Sequence, residues 1–279
     1  MTKVERQTSN IKRKIIRGLL AFTLLTVTTA CGPTPVVTRT PVTLELVVAS
    51  SAEPLLDELT ATYRATRPHI TFNVRHLDSA QAMEALWAGE VDLAAVSWLT
   101  DAQRESVWMT PVAIDGVAII VHPSNTVQDL SILELRDVFR GRVAEWPDVG
   151  GPRGEIAVTT RESGSGTRAR FEETVMEGRS VTVNAILASS EQTVLDYVRT
   201  ITTCVGYVSS GHLTSTVKAI AVEGVQISPA TLADRRYPLS RPLMFVTAEE
   251  PQGELRSFVA WVLGPEGQAI VGKKYGRVR

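Results

Sequence analysis

The residues best suited to chemistry in this 279-residue chain lie at Arg161–Thr167, R-E-S-G-S-G-T. Gly164 and Gly166 free the backbone to curl so that successive N–H groups face one point, a nest for an anion. Ser165 and Thr167 add hydroxyl donors, and the Arg161 guanidinium offers a fork of two donors to an oxyanion. Arg168 either adds charge or faces solvent. Two further loops carry hydroxyls just before a predicted helix, Ser50-Ser51 and Ser79. A helix start leaves N–H groups unpaired and bears roughly half a positive charge, so several such ends aimed at one point hold an anion without a cationic cage. The competing reading for each hydroxyl is an ordinary N-cap, and for Arg161 a structural ion pair.

No catalytic set competes with this site. His69, His76, His122 and His212 are dispersed, away from any Cys/Asp/Glu cluster with metal spacing, so neither metal nor cofactor is expected. Ser165 is flanked directly by glycines and lacks the G-x-S-x-G frame of a nucleophile elbow. No Walker loop or dinucleotide fingerprint is present. An exported phosphoester hydrolase using Ser165 or Thr167 as nucleophile is the weaker alternative, because no base accompanies either hydroxyl in sequence. The expectation is a protein that is not an enzyme.

The elements that must position the loop follow from periodicity. Leu44, Leu46 and Val48 alternate as a strand, and Leu55, Leu56, Leu59 and Tyr63 share a helical face. Ile70, Phe72 and Val74 form a second strand, Met83 to Trp87 a short helix closed by Gly89, and Val91–Val96 a buried strand. Gly116–Val121, Ile156–Thr159 and Val205–Val208 read as further strands. Helices are predicted around Ile132–Phe139, from Thr167 through Val175, over Val194–Ile201 and over Leu255–Val262, with Pro265 opening the last one. Alternating strands and helices predict two successive α/β units with mixed, mainly parallel sheets covered by helices, and ligands in such sheets sit beyond the carboxyl ends of the strands.

Composition supports an exported α/β protein. Hydrophobic residues make up 44% of the chain, enough for substantial cores. Six of the 29 basic side chains but one of the 30 acidic ones fall in residues 1–30, so the remainder is acidic and carries no nucleic-acid footprint. The early basic side chains end at Arg17 and precede the apolar run Gly18–Ala30, too short to cross roughly 30 Å of hydrocarbon and ordered like a signal peptide over 1–30. The run closes on V-T-T-A-C, which resembles the lipobox of bacterial lipoproteins with Thr28 in place of the usual leucine. That resemblance implies cleavage before Cys31 and lipidation of its thiol. Residues 31–41, rich in Pro and Thr, then read as a tether to the membrane. Cys204, in an apolar stretch, reads as a core residue.

Several stretches together resemble one family. P-V-A-I-D-G-V-A-I-I-V-H-P-S-N (Pro111–Asn125), Leu133–Gly151, R-E-S-G-S-G-T-R-A-R-F-E-E (Arg161–Glu173), G-Y-V-S (Gly206–Ser209), Tyr237–Thr247 and Phe258–Val271 occur in the order found in the phosphate-binding receptors of bacterial ABC importers. These are a branch of the two-lobed periplasmic-binding-protein superfamily, type II. The resemblance implies a ligand in the interlobe cleft, with residues 42–117 plus 240–279 as one lobe and 118–239 as the other. It implies that Arg161, Ser165, Gly166 and Thr167 bind phosphate oxygens, with Ser79, Ser50 and Ser51 as opposing walls. Many members place an Asp or Ser in the segment matching Val96-Ser97-Trp98; Ser97 both donates and accepts. It further implies a monomer on the outer face of the cytoplasmic membrane that delivers inorganic phosphate to permease subunits. Another tetrahedral oxyanion, sulfate or molybdate, is the alternative ligand, and a surface adhesion or sensory role an alternative use of the fold. Hinge crossings are expected near Gly116–Val121 and Leu243–Val246.

Overall fold

A computed structural model of the protein describes residues 40–279. The signal peptide, Cys31 and the tether as far as Arg39 lie outside the described residues. The first half runs β1 (Val42–Ala49), α1 (Glu53–Thr66), β2 (Ile70–Leu77), α2 (Ser79–Trp87), β3 (Leu93–Val96), α3 (Asp101–Glu105) and β4 (Trp108–Val121). Then come β5 (Asp129–Leu130), α4 (Ile132–Phe139), β6 (Ala157–Arg161), α5 (Gly166–Phe171), β7 (Ile186–Ala188), α6 (Glu191–Thr200) and β8 (Cys204–Ser209). The chain closes with β9 (Lys218–Ala219), β10 (Ala221–Val222), α7 (Pro229–Ala233), β11 (Ser240–Thr247), α8 (Gly253–Leu263) and α9 (Pro265–Val271).

The main sheet follows the order β2-β1-β3-β11-β4-β8-β6-β7, with β9 beside β4. β1 is parallel to β2 and β3, and β6 is parallel to β7 and β8. The central β11 and β4 are antiparallel to their neighbours. β1, β3 and β8 are buried along most of their length, as parallel strands covered on both faces are, whereas the edge strand β2 alternates with exposed residues. In β1, Leu44, Leu46 and Val48 enter one core with α1 and α8, while Val47 and Ala49 enter another under α2. The first core is organised around Phe258, whose ring centroid lies 5.1 Å from Tyr63, 5.0 Å from Phe72 and 5.8 Å from Phe245. A third core gathers β6, β8, α4 and α6 around Trp146 and the stacked Phe171–Tyr207 pair, 4.2 Å apart.

β4 joins the two trios. It pairs with β11 from Trp108 to Gly116 and with β8 from Val117 to Val121. Gly116 marks the change of partner, and a Cβ there would sit 2.7 Å from Leu232 and 2.8 Å from Ile227. The strand is longer than its apolar run predicts, because Pro111 and polar residues obscure its first half. Pro111 is accommodated opposite Met244, where the β11 register shifts. The return crossing runs at 237–240, with Val117 N–H donating to Leu239 O at 3.0 Å. It is therefore not at Leu243–Val246, whose last three residues, Met244–Val246, pair with β3 inside the first trio. Beyond Phe171 the expected continuous helix widens into a π-turn, Glu172–Met176. Such turns carry an extra residue per bond and re-aim the following side chains.

Phe258→Ala should remove about 3–5 kcal/mol of stability, as a fully buried aromatic truncation does. Urea denaturation followed by far-ultraviolet dichroism checks it, and a shift below 1 kcal/mol would contradict this packing.

Candidate functional site

The carboxyl ends of the two parallel trios, which run in opposite senses, meet at one place. Ser50 and Ser51 follow β1, Asp78 and Ser79 follow β2, Ser97 follows β3, the Arg161 loop ends β6, Ser189 and Ser190 follow β7, and Ser209 ends β8. The loop of the second trio is pressed against those of the first. A Cβ on Gly166 would stand 2.5 Å from Ser97 Oγ and 2.7 Å from Ser79 Oγ, and one on Gly164 (φ +94°) would stand 2.7 Å from the Asp78 carboxylate. Only glycine permits that approach. Arg161 Nη2 reaches Ser50 Oγ at 3.3 Å, Ser209 Oγ donates to Ser51 O at 3.0 Å, and His212 Nε2 lies 2.7 Å from Ser50 O. Thus Ser50, Ser51, Ser79, Ser97, Arg161, Ser165, Gly166 and Thr167 are brought together.

Their local roles differ from the pattern read in the sequence. Ser165 is the N-cap of α5, its Oγ accepting from Arg168 N at 3.3 Å. Ser79 is not a cap: Asp78 caps α2 in a reciprocal box with Gln81. Ser79 lies one residue inside the helix, 1% exposed, and its Oγ has no hydrogen-bond partner. Neither Ser50 nor Ser51 caps α1, whose N-cap position is Ala52. Ser51 Oγ instead donates to Ser97 Oγ at 2.9 Å. Arg168 leans on Glu172 and donates to Arg161 O at 2.7 Å, bracing the loop from behind.

Beneath the loop runs a buried charge network that no motif announces. Arg161, 1% exposed, donates through Nη2 and Nε to the Glu162 carboxylate at 2.7 and 3.2 Å, and its Nη1 lies 3.2 Å from Glu191 Oε1. Nη1 has no hydrogen-bond partner. Burial by itself lowers the Arg161 pKa, but the Glu162 hydrogen bond and the Glu191 and Glu162 charges outweigh it and hold the cation. Glu191, wholly buried, accepts from Thr167 Oγ1 at 2.5 Å and Ser209 N at 2.9 Å. Thr167 Oγ1 in turn accepts from Arg241 Nη2 at 2.9 Å. Arg241 makes two bonds to Asp115 Oδ2, at 2.9 and 3.0 Å, while Asp115 Oδ1 takes Ser209 Oγ, Ser210 N and Ser210 Oγ. Asp115 and Arg241 were visible in sequence only as charges interrupting the apolar strands I-D-G-V and S-R-P-L, a mark of buried pairing. Glu191 had no such flag.

Elsewhere, burial pushes the Cys204 thiol up to about 11, partly offset by its contact with Thr159, which makes it an inert core group. Among the described residues no group of three or more His, Cys, Asp or Glu is placed to hold a metal ion. Nor is any described helix long and apolar enough to cross a membrane.

Comparison with known proteins decides the family. The family model for the PBP superfamily domain matches residues 35–266. The chain belongs to the PBP superfamily. The two-lobed α/β architecture expected from the resemblance is the one described above, and solved PBP structures share it. One, a phosphate-bound protein from Clostridium perfringens assigned as a phosphate ABC transporter substrate-binding protein, is 27% identical, covers 85% of this chain and 100% of its own, and has a TM-score of 0.81. An ABC-type phosphate transport receptor from Vibrio cholerae is also 27% identical, covering 84% and 99% with a TM-score of 0.70. The phosphate-binding protein PstS of Bacillus subtilis is 27% identical over 168 residues, 60% of this chain and 56% of the relative. The match thus spans about half the length of that curated relative.

Asp115→Ala should destabilise this PBP superfamily chain by about 3–5 kcal/mol, because it strands a buried Arg241 guanidinium. Removing both charges together, Asp115→Ala with Arg241→Met, should cost less. Chemical denaturation of the single and double variants checks the order, and equal losses would mean the pair is not coupled.

Proposed function

We propose that this protein is a non-enzymatic solute receptor that captures inorganic phosphate outside the cytoplasm and delivers it to the permease subunits of an ABC importer. The observation that carries the reading is the fully buried Ser79 Oγ, which has no hydrogen-bond partner and faces the glycine-flanked start of α5, with the buried Arg161 guanidinium at the foot of the same loop. A tetrahedral oxyanion supplies acceptors for both and for the first-turn amides of α5, which helix geometry leaves unpaired. Ser50, Ser51, Ser97, Ser165 and Thr167 line the rest of the ligand shell. Similarity to relatives described as phosphate-binding favours phosphate over sulfate or molybdate.

A hydrolase is disfavoured by the same geometry. Thr167 does have a carboxylate beside it, but its hydroxyl is locked between Glu191 and Arg241 at 1% exposure. Export on the 1–30 signal, a lipid on Cys31 holding the protein to the outer face of the cytoplasmic membrane, and action as a monomer complete the proposal. Export and lipidation rest on the sequence V-T-T-A-C and the tether that follows it, and the monomer on the family resemblance. Residues 42–117 with 240–279, and 118–239, would close as two lobes about the β4 and 237–240 crossings.

Titration calorimetry of the chain from Thr34 onward, with phosphate, sulfate and molybdate between pH 5 and 8, tests this. Phosphate should bind tightly, with an affinity that changes over the range in which its own charge changes; binding of none of the three would sink the reading. Arg161→Ala should weaken binding by about 1.5–3 kcal/mol, the range for a hydrogen bond to a charged group. Wild-type affinity in that variant would make Arg161 purely structural.

A further inference from the structure

A second cavity, lined by none of the anion-site residues, carries three arginines without partners. It has a volume of about 530 Å³ and lies where the first half of β4, the end of α8, the turn after α7 and the C-terminal segment meet. Arg235, Arg277 and Arg279 line it together with Trp108, Pro111 and Leu263, and no lining side chain is a carboxylate. None of the three guanidiniums has an ion-pair or hydrogen-bond partner among the described residues.

The backbone that frames the cavity is pinned, while Arg235, Arg277 and Arg279 are themselves exposed. The C-terminal segment is pinned on either side of Arg277: Gly276 exchanges backbone hydrogen bonds of 2.8 Å with Ile114, and Val278 N donates to the buried Gln268 at 3.0 Å. Gly276 passes so close to the end of α7 that a Cβ there would collide with Ala233 N. Arg277 and Arg279 both line the cavity from this segment. The Arg277 guanidinium lies over Gly272 at the C-terminus of α9. Arg235 approaches from the other wall, in the left-handed position that ends α7, with φ +55°. Glycine is favoured at that position, so an arginine there is held against a backbone preference. Trp108, 47% exposed, presents an indole beside them.

We propose that this cavity is a second ligand site, for a small organic anion with an aromatic or apolar body. The guanidiniums would take the anionic group, and Trp108 with Pro111 and Leu263 the body. The volume lies within the range of small-molecule sites and exceeds what a bare tetrahedral oxyanion would fill.

The probe is 8-anilino-1-naphthalenesulfonate, titrated by fluorescence into the chain from Thr34 onward, with and without saturating phosphate. One-to-one binding that phosphate does not displace is expected. Arg235→Gly combined with Arg277→Gln should weaken it about tenfold or more, the size of losing charge-assisted bonds. Arg235→Gly alone should leave the melting temperature unchanged or raised, which separates lost binding from lost folding. Absence of probe binding, displacement by phosphate, or unchanged affinity in the folded double variant would overturn the proposal.

Discussion

Two guanidiniums and two carboxylates, Arg161, Glu191, Arg241 and Asp115, are buried together and must satisfy one another. An isolated charge at such burial costs several kcal/mol, so each fixes the position of the next. The chain of bonds begins at the end of β6, passes through Thr167 at the start of α5 to the start of α6 and the end of β8, and reaches β4 and β11 at Asp115 and Arg241. Those last two residues flank the point where the chain passes from one trio of strands to the other. The anion loop is therefore set by the same interactions that hold the crossing. Glu191 and Arg241 share the Thr167 hydroxyl, which links the crossing to the start of α5.

This arrangement also defines how an anion meets the protein. The buried cations already face carboxylates, and Glu162 stands against the outer side of Arg161. The remaining attraction is local: the edge of the Arg161 guanidinium, the free Ser79 hydroxyl and the amides of a helix start. In a chain that is acidic beyond its first thirty residues, selectivity must come from such placed donors rather than from a general positive field. Gly164 and Gly166 matter less for their own flexibility than for what they admit. They let Asp78, Ser79 and Ser97 approach to distances that any side chain would forbid.

Much of the architecture was legible in the sequence, because strand and helix periods show directly in the apolar pattern. β1 announces itself by alternation and β3 and β8 as short apolar runs. The first half of β4 does not, since Thr110 and Pro111 interrupt the apolar pattern there, and Pro111 is accommodated where the β11 register shifts. The π-turn after Phe171 is equally silent, its residues being ordinary helix formers. Ser79 looked like a cap, but Asp78 one residue earlier takes that role, leaving the Ser79 hydroxyl free.

The sequence by itself determined the local chemistry of R-E-S-G-S-G-T, since the conformational freedom of glycine and the donors of Ser, Thr and Arg are properties of those residues wherever they are placed. It also determined the two α/β units, because strand and helix periods are carried by neighbouring residues. Only the tertiary structure decided that Ser79 and Ser97 face Gly166, that Ser50 meets Arg161, and that Glu191 and the Asp115–Arg241 pair lie beneath the loop. Those contacts join residues up to 126 positions apart, and their existence depends on the register at which β4 changes partners. No periodicity or spacing along the chain encodes that register, because it is the outcome of packing three cores at once.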